Sequence, residues 1–124
     1  MAKASSKRTS VSLFIRVQFP NGARFGPGKA ELLSAIDRTG SISEAARSMR
    51  MSYRRAWLLV ASTNELFGRP VVAAATGGRQ GGGAGLTPFG RQMLARYRRM
   101  LAKIERAARV DLTALARAAD RPKS

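Results

Sequence analysis

Residues 41–57 read SISEAARSMRMSYRRAW, and this stretch decides the architecture. Ser41 and Glu44 are spaced as in a capping box, in which the hydroxyl accepts a backbone N–H of the first helical turn. Ser43 is the alternative N-cap. Either start predicts a short helix to about Met49. Ser52 is a second N-cap and opens another helix that runs to about Phe67, where Gly68-Arg69-Pro70 stops it. Ala45 and Ala46 are small enough for two helices to cross closely, and Met49 and Met51 flank the turn. Ala56, Leu59 and Val60 make an inward stripe on the second helix. Two short capped helices joined by a tight turn are a helix-turn-helix. What stays outside at the start of the second helix is Ser52, Tyr53, Arg54 and Arg55, where a recognition helix places its base-reading side chains. An arginine there can grip guanine O6 and N7 together. The plainer alternative is a helical hairpin carrying a solvated arginine pair.

Upstream, Leu32, Leu33 and Ile36 give residues 29–39 an apolar helical face, ended by Gly40. Residues 11–19 alternate: Val11, Leu13, Ile15, Val17 and Phe19 share one face, which predicts a half-buried strand. Pro20-Asn21-Gly22 then turns the chain, Ala23–Phe25 return as a short strand, and Gly26-Pro27-Gly28 breaks it again. Downstream, residues 71–75 (VVAAA) and 84–87 read as strands on either side of the glycine-rich tip TGGRQGGG, residues 76–83. No Gly-Lys-Ser/Thr leads into a helix there, so a nucleotide loop is disfavoured. A hairpin in this place is a wing, and Arg79 and Gln80 at its tip can reach DNA; a loop without contacts is the alternative.

Thr87-Pro88 caps a long helix expected to run to about Ala119. Its apolar positions are Phe89, Met93, Leu94, Tyr97, Leu101, Ile104, Ala108, Leu112 and Leu115. A helix of about 30 residues spans about 45 Å, more than one small domain covers. The same helix of a second chain is the natural partner, with Phe89, Met93, Tyr97, Leu101, Ile104 and Ala108 at the homodimer interface. A helix folded back on its own domain, or lying on an anionic membrane, is the alternative. The expected organisation is a basic disordered arm at 1–10, a DNA-binding domain at 11–87, a dimerisation helix at 88–119 and a frayed tail at 120–124.

Composition narrows the partner. Lys and Arg number 23 against 7 Asp and Glu, a net charge of +16, which implies a polyanion. With no Cys and no His, the usual zinc sites and Cys- or His-based catalysis are excluded, and no cofactor is expected. The acids Glu31, Asp37, Glu44, Glu65, Glu105, Asp111 and Asp120 are scattered, so an enzyme is disfavoured. The start is no secretory signal and no stretch suits a membrane span, which points to a cytoplasmic, nucleoid-associated protein. Trp57 reads as a core or interface residue, since no aromatic cluster of the single-strand-binding kind is present. The fold class is therefore mainly α with a small β component, a winged helix-turn-helix with an N-terminal hairpin. Its expected function is sequence-specific reading of duplex DNA. A low-specificity architectural binder and an RNA-binding protein are the alternatives.

With these residues in place, the chain resembles the N-terminal domain of the ModE family, molybdate-responsive transcription regulators. The matching motifs are Leu32-Leu33-Ser34-Ala35-Ile36, Thr39 through Ala46, Met51-Ser52-Tyr53-Arg54-Arg55-Ala56-Trp57, Asn64, Pro70, Thr76-Gly77-Gly78, Gly81-Gly82-Gly83 and Leu86-Thr87-Pro88. A weaker likeness to LysR-type DNA-binding domains lies in Leu66-Phe67 and Leu86-Thr87 with Gly90. The resemblance implies a winged-helix dimer on operator DNA, with Ser52–Arg55 starting the recognition helix and Gly77–Gly83 in the wing. The full expected contact set is Ser43, Arg50, Ser52, Tyr53, Arg54, Arg55, Arg79 and Gln80. Two departures stand out. Arg50 occupies a turn position that is usually Gly in the family, where a left-handed conformation costs about 1 kcal/mol; either the turn relaxes slightly, or Arg50 is tolerated because it adds a phosphate contact. The chain is also expected to lack the family's C-terminal molybdate-binding domains, so molybdate sensing is not carried over. A separate effector or sensor protein is left open as a partner.

Overall fold

The computed structural model describes residues 11–75 and 83–120. The chain runs β1 (Val17–Gln18), β2 (Arg24–Phe25), α1 (Pro27–Thr39), α2 (Ile42–Ser48), α3 (Tyr53–Phe67), β3 (Val72–Ala74), β4 (Ala84–Leu86), α4 (Pro88–Ala107) and α5 (Arg109–Ala119). The expected glycine-rich tip, basic arm and last tail residues lie outside the described residues.

The alternation of residues 11–19 survives as burial more than as hydrogen bonding. Leu13, Ile15, Val17 and Phe19 are half-buried while their neighbours are exposed. Only Val17 and Gln18 pair, antiparallel with Phe25 and Arg24, because the turn returns just two residues of partner strand. The turn itself is as expected: Asn21 Oδ1 accepts from Ala23 N at 3.0 Å and Gly22 has φ 89°. Ile15 is held instead by a side chain from far along the sequence. The Tyr97 hydroxyl donates to its carbonyl at 2.6 Å, and burial pushes the Tyr97 phenol above its usual pKa, which keeps it a donor.

The core gathers around α1. Leu32, Leu33 and Ile36 are fully buried, each worth about 1.5–3 kcal/mol relative to exposure. The helix begins at Pro27, two residues earlier than the expected 29, because Pro is favourable in a first turn. It ends as expected at Gly40, φ 74°. Beneath it, Phe25 packs edge-on against Phe67 and Tyr97, and Phe67 likewise meets Phe19 and Phe89. These five rings come from three elements and a loop: β2, α3, α4 and the turn at Phe19.

β3 and β4 pair antiparallel, Val72 with Leu86 and Ala74 with Ala84. The hairpin is tied down at its base. Asn64 Oδ1 accepts from Val71 N at 2.7 Å, and the Thr87 hydroxyl donates to the Pro70 carbonyl at 2.7 Å. Gly90 lets α4 approach this strand: a Cβ at that position would lie 2.2 Å from the Val71 carbonyl oxygen.

The C-terminal stretch is two helices, not the single helix expected over 88–119. α4 has 20 residues and α5 has 11, with the junction at Ala108, φ −93° and ψ 3°. The apolar stripe passes through the junction unbroken, so periodicity carried no sign of it. The stripe is also covered differently from what it suggested. Tyr97, expected at the dimer interface, belongs to the chain's own core, as does Leu94. Phe89 and Leu101 are half-buried against the same core. α5 by contrast buries none of its residues. No helix among the described residues is long and apolar enough to cross a membrane.

Candidate nucleic-acid interface

The helix-turn-helix forms from α2 and α3. Ser41, rather than Ser43, is the N-cap of α2: its hydroxyl accepts from Glu44 N at 3.1 Å. Ala45 and Ala46 are buried at the crossing, facing a buried Ala56 and Val60 on α3. The turn is drawn tight by Met51 N donating to the Ala46 carbonyl at 3.0 Å. Arg50 sits in it at φ 58°, the one non-glycine with positive φ among the described residues. Of the two alternatives, the turn does not relax: arginine itself adopts the left-handed conformation, with its strain retained.

α3 starts at the Ser52 cap, whose hydroxyl accepts from Arg55 N at 3.0 Å. Its inner face is Ala56, Val60 and Thr63, all buried, and the Thr63 hydroxyl is satisfied by the Leu59 carbonyl at 2.7 Å. With that face fixed, Ser52, Tyr53, Arg54 and Arg55 are exposed together at the N-terminal end of α3. Arg50 and Ser43 are exposed on the turn and on α2. Among the described residues, none of these arginines takes part in an ion pair; the salt bridges found are Arg47–Glu44 and Arg91–Asp37. Arg79 and Gln80 lie outside the described residues. The exposed end of α3 is therefore a cationic, donor-rich surface mounted on a packed frame.

Of the two placements expected for Trp57, core or interface, the core one is not adopted. Trp57 is 50% exposed, and Leu58 beside it is 48% exposed. A helical projection carries the signal for this, since both positions lie away from the stripe of Ala56, Val60 and Thr63. The wing base is placed against the same unit: Ala84 N donates to the Gly40 carbonyl at 3.0 Å. The hairpin is thereby attached to the turn between α1 and α2.

Of the expected interface residues on α4, Met93 and Ile104 are half-buried, as is Ala108 at the junction. Val110 and Leu115 on α5 are exposed at 80% and 64%. Arg69 lies over the Phe89 ring, 4.1 Å from its centroid, which gives Phe89 a covering from within the chain.

This arrangement defines a winged helix-turn-helix protein. No protein-family profile matches the chain. The DNA-binding domain of CbnR, solved in complex with DNA, has the same fold: TM-score 0.53, 21% identity, 76% of this chain and 97% of that one. In sequence, the chain is 54% identical over 76 residues to the molybdenum-pterin-binding protein MopB of Rhodobacter capsulatus, covering 61% of this chain and 28% of MopB. It is 39% identical over 82 residues to the DNA-binding transcriptional dual regulator ModE of Escherichia coli K12, covering 66% of this chain and 31% of ModE. The likeness to ModE-family proteins read from the motifs, and the weaker one to LysR-type DNA-binding domains, are both found. The matched stretch is about a third of the length of these relatives.

Proposed function

We propose that the chain is a transcription regulator that reads duplex DNA as a homodimer. The start of α3 lies in the major groove, and the wing between β3 and β4 touches the backbone or minor groove. The observation that carries this reading is the exposed group Ser52, Tyr53, Arg54 and Arg55 on the second helix of a helix-turn-helix. Arg50 on the turn and the remaining positive charge supply phosphate contacts, hence affinity; Arg54 and Arg55 supply base choice. The name carried by the Escherichia coli relative, a DNA-binding transcriptional dual regulator, supports the same assignment. The reading assigns no catalytic role.

The homodimer contact is placed on the part of the C-terminal stripe that the domain leaves uncovered. Of the six residues expected there, Tyr97 is buried in the core and Phe89 and Leu101 pack against it, so the proposed contact keeps Met93, Ile104 and Ala108 and extends to Val110, Leu112 and Leu115. Two copies joined there present two α3 helices, and a spacing of about 34–36 Å matches successive major grooves.

The net charge of +16 supports a second reading, an architectural binder with little sequence preference. Enrichment of bound duplexes from a random library, followed by competition at fixed salt, separates the two. A regulator prefers its enriched duplex over random duplex by about 10³-fold or more. Equal competition by random duplex supports the architectural reading. Structured RNA outcompeting every duplex removes both.

A further inference from the structure

Building on the DNA-reading assignment above, we infer that Trp57 and Leu58 form an apolar edge of α3 that recognises the 5-methyl groups of thymines in the major groove. Both side chains are about half exposed, and although consecutive helical residues do not face each other, both flank Arg54, so the three make one continuous surface. Scattered surface hydrophobics need no explanation, but adjoining large ones at a binding surface do. Their place in the helix supplies the occupant. Arg54 precedes Trp57 by three residues and Leu58 by four, so all three are neighbours on the helix surface. Tyr53, four before Trp57, is exposed as well, at 55%.

The patch begins one turn into α3, behind the cationic N-terminal end. With about 1.5 Å of rise per residue, Trp57 sits about 6 Å along the axis from Tyr53, close to the N-terminal residues that a recognition helix lays against base edges. A second copy of α3 would not cover this patch readily, because Arg54 and Arg55 would meet their own counterparts. A polyanion meets them with complementary charge. Among the groups that base pairs present in the major groove, the thymine 5-methyl is the apolar one. It is therefore the partner chemistry for an indole and an isobutyl group held beside an arginine.

The test starts from a duplex enriched from a random library by the full chain. Each thymine is replaced singly by deoxyuridine, which removes the methyl and keeps the hydrogen-bonding edges. Affinities of the wild-type protein, Trp57→Ala, Trp57→Phe and Leu58→Ala are read by fluorescence anisotropy. At one or more thymines the wild type should lose about fourfold per methyl. The same replacement should cost nothing in Trp57→Ala or in Leu58→Ala, whichever side chain covers that methyl. Unfolding midpoints establish that each variant is folded, and the surface position of Leu58 keeps the test decisive if Trp57→Ala is not. A flat deoxyuridine profile in the wild type, or one unchanged in all folded variants, overturns the inference while leaving the enriched duplex, and so the parent reading, intact. Failure to enrich any duplex removes both. Loss of single-strand binding alone in Trp57→Ala would overturn it in favour of base stacking.

Discussion

The outer face of α3 and the surface of α5 both expose large apolar side chains, Trp57 and Leu58 on one, Val110 and Leu115 on the other. Their settings differ. On α3 the apolar pair adjoins Arg54 and Arg55, with no acid within the first turn, and the helix is anchored by a side-chain cap and by three buried residues. On α5 the exposed positions stand among both signs of charge, Arg109, Asp111 and Arg117, and the helix has no side-chain cap and no buried residue. Exposed apolar surface does not name its partner; the charge around it and the rigidity beneath it do. A rigid cationic mount suits a polyanion. A mixed-charge, unburied helix suits a copy of itself, where Arg and Asp can pair across a two-fold axis.

Breaking the mount should have the largest effect. Gly90→Ala drives a Cβ into the Val71 carbonyl, and we expect a loss of about 3 kcal/mol in urea unfolding, with DNA binding lost alongside. A stability within a few tenths of wild type would mean that α4 does not hold the wing strand. Next is the self-association face. Leu115→Glu should weaken dimerisation by about 2 kcal/mol, from lost apolar burial, in sedimentation equilibrium, with the monomer's unfolding midpoint unchanged. A dimer that tolerates it places the contact elsewhere. Ser52→Ala removes the cap on Arg55 N and should cost about 1 kcal/mol, by thermal unfolding. The smallest change expected is Arg50→Gly. Releasing a left-handed arginine gains about 1–2 kcal/mol, partly offset by the added freedom of glycine in the unfolded chain, for a net gain of about 0.5 kcal/mol. If Arg50 also touches a phosphate, the salt slope of binding should fall by about 1.

The helix-turn-helix was legible in the sequence because its determinants are local. The caps Ser41 and Ser52, the alanines at the crossing and the stop at Gly68 all act within a few residues, and each stands where the sequence puts it. Contacts between distant segments were not legible. Tyr97 and Ile15 meet across 82 positions, and nothing in the stripe of α4 tells a ring covered by its own domain from one awaiting a partner. The hairpin suffered similarly: alternation specified which residues of 13–19 turn inward, but not that only Val17 and Gln18 would find a strand to pair with. For Trp57 the absence of an aromatic cluster left core and interface both open, and burial statistics for large aromatic residues do not decide between them. The angular position of Trp57 relative to Ala56 and Val60 was the better guide.

Base reading from the start of α3 is most directly tested with Arg54→Ala, measured at one salt concentration on the enriched duplex and on a random duplex of equal length. The account predicts a loss of about 1–3 kcal/mol on the enriched duplex and a much smaller one on the random duplex. Equal losses on the two would contradict it.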